Sequence, residues 1–211
     1  PLFRSSAASD VYKRQYLCDR ILVQFMGHAV AVCGMPGSGK GEFARIIADN
    51  GIPVRSMGDM VRAEVETRGL TGSPTVFGEV AADLRAKHGD DILAKRLADE
   101  VSKLMLVHPI VLIDGMRGTA EYAMFSSRWG ANFTSIAIMA NQDVRFERIQ
   151  KRGRPEDGDR QQFQIREDRE SGWGLNSLIA QADYSITNES SLSELVDATN
   201  LWLSTFRKNI Q

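Results

Sequence analysis

Of 211 residues only two are cysteine, Cys18 and Cys33. That excludes a disulfide framework, and neither residue has a partner at metal-ligand spacing. Cys33 stands in an apolar run and reads as a buried, reduced thiol. An excess of one charge is also missing. Lysines and arginines number 26 and acids 27, a formal net charge of -1, so no global basic field argues for nucleic acid. Long hydrophobic runs are absent too: the longest mostly apolar stretch, Leu104 to Ile113, contains His108 and Pro109 and is too short for a bilayer. Residues 26–211 hold no repeat, low-complexity tract or Pro/Gly/Ser linker. A reducing, cytoplasmic setting with neither membrane nor nucleic-acid partner is the expectation.

What is present suits a single domain with a sizeable core, since hydrophobic residues make up 43% and charged residues 25%. Residues 1–15 are polar and aperiodic and lack the apolar stretch of a secretory signal. Asp10 to Gln15 looks like the translated end of a sequencing adapter. The expectation is that residues 1–25 are a disordered leader or a sequencing artefact, that Met26 is a natural start, and that 26–211 form the domain.

Apolar runs alternate with helical patterns along that domain. Ala29 to Cys33, Ile52 to Val54, Pro109 to Asp114, Thr134 to Ala140 and Tyr184 to Asn188 read as strands. Helices are expected over Gly39–Asn50, Asp59–Arg68, Val76–His88, Asp91–Val107, Thr119–Trp129 and Asp143–Arg152, and from Leu192 onward. Such alternation predicts an α/β three-layer sandwich: a parallel five-stranded sheet with helices on both faces, and helical insertions near 57–90 and 152–175.

The strongest local signal is Gly34-Met35-Pro36-Gly37-Ser38-Gly39-Lys40-Gly41. It satisfies G-x-x-x-x-G-K between a strand and a helix, the context that gives the pattern a mechanism. Its glycines let backbone N–H groups turn inward around a phosphate, and the helix N-terminus adds partial positive charge. Lys40 can reach β- and γ-phosphates, so the loop predicts ATP binding. The hydroxyl common after the lysine is replaced by Gly41. Mg²⁺ would then rest on phosphates, water and a carboxylate, with Asp114 at the end of a hydrophobic strand as its candidate ligand.

The loop is similar to that of adenylate kinases. Ser56 to Arg62 resembles the start of their monophosphate-binding insertion, and Asp114-Gly115-Met116-Arg117 a shortened Asp-Gly-Phe-Pro-Arg segment. Arg145, Arg148, Arg152 and Arg154 resemble the helix leading into a lid. Ala182 to Asn188 resembles the last strand of dephospho-coenzyme A kinases. Over residues 27–207 the chain looks like a mostly archaeal family of P-loop proteins related to these kinases. The resemblance implies that Arg62 and Arg117 grip an acceptor phosphate, which suits guanidinium forks. Met57 departs from the pattern where a threonine is usual, as does the missing proline before Arg117.

Between Arg145 and Arg169 stand seven arginines and Lys151, nearly balanced by six acids. Such balance speaks against an RNA-binding arm. It leaves a solvated, salt-bridged helix pair or a lid whose Arg152, Arg154 and Arg166 close over the transferring phosphoryl group and exclude water. Asp59 is a candidate to orient or deprotonate an acceptor hydroxyl, or to cap its helix. His28, His88 and His108 read as structural; Trp173 reads as packing or hinge, with adenine stacking as the alternative. The resulting expectation is a phosphotransferase acting on a small-molecule acceptor, a nucleoside monophosphate or dephospho-coenzyme A. The rival is a nucleotide-dependent switch with slow hydrolysis.

Overall fold

Strand β1 (His28–Cys33) is buried from Ala29 to Cys33, and its period-two alternation feeds two separate cores. In the computed structural model, which describes residues 26–153 and 157–210, Ala29, Ala31 and Cys33 face one core and Val30 and Val32 the other. Burial raises the Cys33 thiol to about 11, as expected of an inert structural cysteine.

Four further strands complete the sheet: β2 (Val54–Ser56), β3 (Ile110–Asp114), β4 (Phe133–Met139) and β5 (Tyr184–Thr187). All ladders are parallel and the order is β2-β3-β1-β4-β5. The chain moves from β1 past β3 to β2, and from β3 across β1 to β4. The end of β1 is thus a topological switch point, where the connections diverge and leave a crevice.

Helix α1 (Lys40–Asp49) packs Phe43, Ile46 and Ile47 onto the Val30 and Val32 face, beside Leu195, Leu203 and Phe206 of α9 (Leu192–Asn209). The opposite core takes α2 (Met57–Thr67), α3 (Pro74–His88), α4 (Ile92–Met105), α5 (Thr119–Trp129) and the short α8 (Leu175–Ala180). Helices α6 (Gln142–Arg152) and α7 (Arg160–Gly172) meet through Phe146 and Phe163, with ring centroids 5.4 Å apart.

Three local readings shift. Strand β2 begins at Val54, not Ile52, because Pro53 has no N–H for the ladder; its carbonyl instead accepts from the Leu112 amide at 2.9 Å. Helix α3 starts at Pro74, not Val76: proline is preorganised for the first helical position, and the Ser73 hydroxyl accepts from the Val76 amide at 3.2 Å. Helix α8 gave no periodic signal, being one short turn-and-a-half after Gly174. Asp183, in the segment resembling dephospho-coenzyme A kinases, ties β5 to β4 by accepting from the Ser135 amide and hydroxyl, both at 2.8 Å.

Candidate functional site

The phosphate loop follows β1 directly, and its shape is fixed by close backbone approach. Gly37 (φ 81°) and Gly39 (φ 103°) occupy the left-handed region. A Cβ on Gly37 would lie 2.4 Å from the Arg145 carbonyl oxygen, and one on Gly39 2.1 Å from the Asn188 amide nitrogen. The same neighbours brace the loop. Arg145 donates to the Pro36 carbonyl at 3.0 Å and also holds Glu167, while Asn188 donates to the Ser38 carbonyl at 2.8 Å. Arg148 in turn donates to the Asn188 carbonyl at 2.8 Å. Arg145 and Arg148, on the helix expected to lead into a lid, thus brace the loop, and Arg148 also lines the cleft beside it.

Lys40 bends over the loop and donates to the carbonyls of Gly34 and of Met35, the latter at 3.0 Å. Burial pulls its ammonium down to about 8; Glu170 and Asp114 resist, and Arg117 and Arg166 assist. The Ser38 hydroxyl and Oδ1 of Asp114 are buried without a hydrogen-bond partner among the described residues. Burial raises the Asp114 carboxyl against the pull of Lys40 and Arg117. Among the described residues no three His, Cys, Asp or Glu side chains cluster as a self-sufficient metal site. One sealed carboxylate oxygen beside a phosphate loop does suit Mg²⁺, which takes most of its ligands from phosphates and water. A Cβ on Gly41 would meet nothing within 4 Å, so no steric conflict explains the missing hydroxyl.

A cleft of about 680 Å³ joins these groups. Pro36, Gly37, Gly39, Lys40 and Gly41 line it together with Asp114, Arg62, Arg117, Arg152 and Arg166. Gly34, Met35 and Ser38 belong to the loop but do not line the cleft. Asp59 does not line the cleft: its largely exposed carboxylate accepts from Nε of Arg62 at 3.1 Å, one helical turn away. Nor does it cap α2, whose N-cap residue is Ser56. Arg154 lies outside the described residues, as does the leader 1–25.

The arginines are aimed by carboxylates that sequence reading passed over. Glu170, only 1% exposed, accepts from Arg117 at 3.0 Å and from Arg166 at 2.9 Å. Burial alone would raise its carboxyl, but Arg117, Arg166 and Lys40 outweigh burial and hold it at about 2. Arg152 forks onto the buried Asp157, with Nε 2.9 Å from Oδ2. Glu121 accepts from the Arg117 and Gly118 amides at the start of α5 and, through its other oxygen, from Arg85 at 2.7 Å. Trp173 packs against two cations, with the Arg85 guanidinium 4.0 Å and that of Arg169 5.7 Å from the ring centre. The packing reading of Trp173 holds. A buried acid between two arginines in an acid-rich helix leaves no periodic mark, so its only sequence cue was its place among the arginines of the expected lid.

A strand-loop-helix cradle for phosphates at the switch point of a parallel sheet defines a P-loop NTPase with a kinase-like fold. A family model described as an AAA domain matches residues 33–164. A "UPF0200/UPF0201 protein" of Archaeoglobus fulgidus is 37% identical over 183 residues, 86% of this chain; the chain spans only 57% of that relative. A "UPF0200 protein" of Methanoculleus marisnigri is 40% identical over 166 residues, covering 78% of this chain and 89% of the relative. The chain belongs to the AAA-domain family and to the UPF0200 group that these relatives represent.

Solved structures agree on the fold. TT1252 from Thermus thermophilus superposes with a TM-score of 0.58 at 19% identity, over 85% of this chain and 98% of that one. A gluconokinase from Sinorhizobium meliloti gives 0.55 at 16% identity, over 88% and 96%. No helix among the described residues is long and apolar enough to cross a membrane.

Proposed function

We propose that the chain is a phosphotransferase that moves the γ-phosphoryl group of ATP to a nucleotide-like small molecule. The carrying observation is one cleft lined jointly by the phosphate loop, Asp114 and five arginines, Arg62, Arg117, Arg148, Arg152 and Arg166, from four parts of the fold. Loop amides and the start of α1 hold the β-phosphate, and Lys40 leaves its carbonyl partners to bridge the β- and γ-phosphates. Asp114 would be the protein ligand of a magnesium ion, which would supply further neutralisation of phosphate charge. Arg62 and Arg117 hold the acceptor; Arg152, Arg154 and Arg166 neutralise the phosphoryl group in flight. The acceptor oxygen bonds to the γ-phosphorus as the bridging bond breaks and ADP leaves, with no covalent enzyme intermediate.

The gluconokinase likeness supports a kinase reading at the level of fold, and the resemblance to adenylate and dephospho-coenzyme A kinases supplies the acceptor candidates. Gly41 and the engagement of Arg152 by Asp157 favour the rival, a slow nucleotide switch. The test is purified protein with labelled ATP and Mg²⁺, screened against nucleoside monophosphates and dephospho-coenzyme A. Transfer to an acceptor is the expected result. Slow hydrolysis that no acceptor stimulates would replace the transferase with the switch.

A further inference from the structure

Beside the main cleft lies a second, smaller recess of about 50 Å³ between α2, α3 and α7. Gly58, Arg62, Arg117 and Arg166 line both spaces and form the seam between them. Lys40 and Asp114 line only the cleft; Phe77, Gly78 and Arg169 line only the recess. The recess has room for about one or two waters. That matches a single phosphate or carboxylate head and falls far short of a nucleobase.

The chemistry of its wall is one-sided. Asp59 sits on Arg62, and the single carboxylate of Glu170 serves both Arg117 and Arg166. Arg169 makes no side-chain hydrogen bond or ion pair among the described residues, and its Nε is sealed from solvent without an acceptor. A buried donor left in that condition calls for a ligand. The guanidinium is nonetheless held in place. Trp173 lies against one side, and α3 brings its backbone so close that a Cβ on Gly78 would lie 2.2 Å from Nη1. Burial lowers the proton affinity of Arg169, and Arg166, Arg117 and Arg85 lower it further against the pull of Glu170. An entering anion would relieve that crowding of like charge.

We propose that this recess is an anion subsite with Arg169 as its inner ligand, filled by a phosphate or carboxylate of the acceptor while a separate hydroxyl receives the phosphoryl group. The inference rests on the phosphotransferase reading and redefines its acceptor by chemistry, as a molecule with one anionic group and a separate hydroxyl. With the anchor behind the seam and Lys40 in front of it, the anchored group is not the nucleophile. A hydroxyl oxygen on the same molecule bonds to the γ-phosphorus, the β,γ-bridging bond breaks, ADP leaves with the electron pair, and the hydroxyl proton passes to solvent. Hydroxylated phosphate esters and hydroxy acids fit this arrangement. A nucleoside monophosphate phosphorylated on its own phosphate does not.

The experiment loads the full chain with Mg²⁺ and a non-hydrolysable ATP analogue, so that the phosphate loop is occupied, and then titrates inorganic phosphate or acetate by calorimetry. Phosphate binding identifies a phosphate-ester anchor, and acetate binding without phosphate binding a carboxylate anchor. Arg169→Gln removes the charge. Gly78→Ala pushes the guanidinium aside while keeping the charge, and serves if the first variant folds poorly. Each is expected to weaken the bound anion at least about tenfold, roughly 1.4 kcal/mol, and to leave affinity for the ATP analogue unchanged. Neither anion binding to the loaded protein, or equal binding in both variants, would overturn the subsite and leave the phosphotransferase reading standing. Failure of the wild type to bind the ATP analogue sinks that reading itself. Transfer to a nucleoside monophosphate's phosphate at a rate unaffected by Arg169→Gln also overturns the separation of anchor from nucleophile.

Discussion

The two sides of the cleft are built from different materials. The phosphate loop is made of backbone: consecutive residues, positive-φ glycines and carbonyls that receive Lys40. The arginine side is made of side chains placed by distant acids; Glu170 stands 53 residues from the Arg117 it holds. A backbone cradle takes its shape from its own φ angles, with Arg145 and Asn188 as side-chain braces. A side-chain cluster in a low-dielectric setting depends on every carboxylate that keeps like charges apart.

Removing Glu170 should break the arginine side most severely. Glu170→Ala leaves Arg117 and Arg166 without their shared buried partner, and a loss of about 3–5 kcal/mol in urea unfolding is expected. Wild-type stability in that variant would show that the arginines do not rely on it. The same residue sets an acid limit. Its folded value, about 2, lies below its ordinary 4.5, so its contribution is complete above pH 4.5 and is lost as pH falls through 2.

On the loop side, Lys40→Ala should weaken triphosphate binding by about 1.5–3 kcal/mol, the range for hydrogen bonds to charged groups, with little effect on monophosphates. Equal calorimetric affinity for ATP in the two proteins would remove Lys40 from the phosphate site. With its ammonium lowered to about 8 from 10.5, the unfolded chain binds the extra proton between those values. Stability should therefore rise with pH across that window, while triphosphate affinity falls. Proton uptake on ATP binding near pH 8, read by calorimetry in buffers of different ionisation heat, checks this.

Smaller effects sharpen the contrast. Arg166→Lys keeps the charge and loses the fork, so turnover with an identified acceptor should drop about tenfold, roughly 1.4 kcal/mol of barrier. Affinity for ATP should hold, and undiminished turnover would make Arg166 a structural brace alone. Smallest of all, Gly41→Ser should leave the melting temperature within a degree or two, since the added Cβ meets nothing. A large fall in melting temperature would show that the open space beside α1 is needed.

Legibility followed the same divide. The loop could be read because its geometry is written in adjacent residues, and β1, β3 and β4 because buried parallel strands are continuous apolar runs. Of the arginines expected at an acceptor site (Arg62, Arg117) and in a lid (Arg152, Arg154, Arg166), the four among the described residues line the cleft. Their partners were not legible. Nothing near Glu170 or Glu121 announces burial, because it is imposed by helices that arrive from elsewhere in the chain. Arg145 and Asn188 looked like part of the helix leading into a lid and of a strand end; only the folded sheet sets them against the loop. Asp59 misled for the opposite reason: a first-turn acid one turn from an arginine is as readily that arginine's ion-pair partner.

Trp173 carries an optical consequence. Of the three tryptophans, Trp129 stacks on Phe125 and Trp202 on Phe206, both within apolar cores, whereas Trp173 lies against the guanidinium groups of Arg85 and Arg169. An indole responds to the local electric field through the colour of its emission. In a chain with Trp129 and Trp202 replaced by phenylalanine, the remaining fluorescence would come from beside the recess alone. Negative charge arriving there would shift its wavelength, and events at the phosphate loop would be read separately by a labelled nucleotide. The protein thus contains an intrinsic colour reporter for charge entering the recess between α2, α3 and α7.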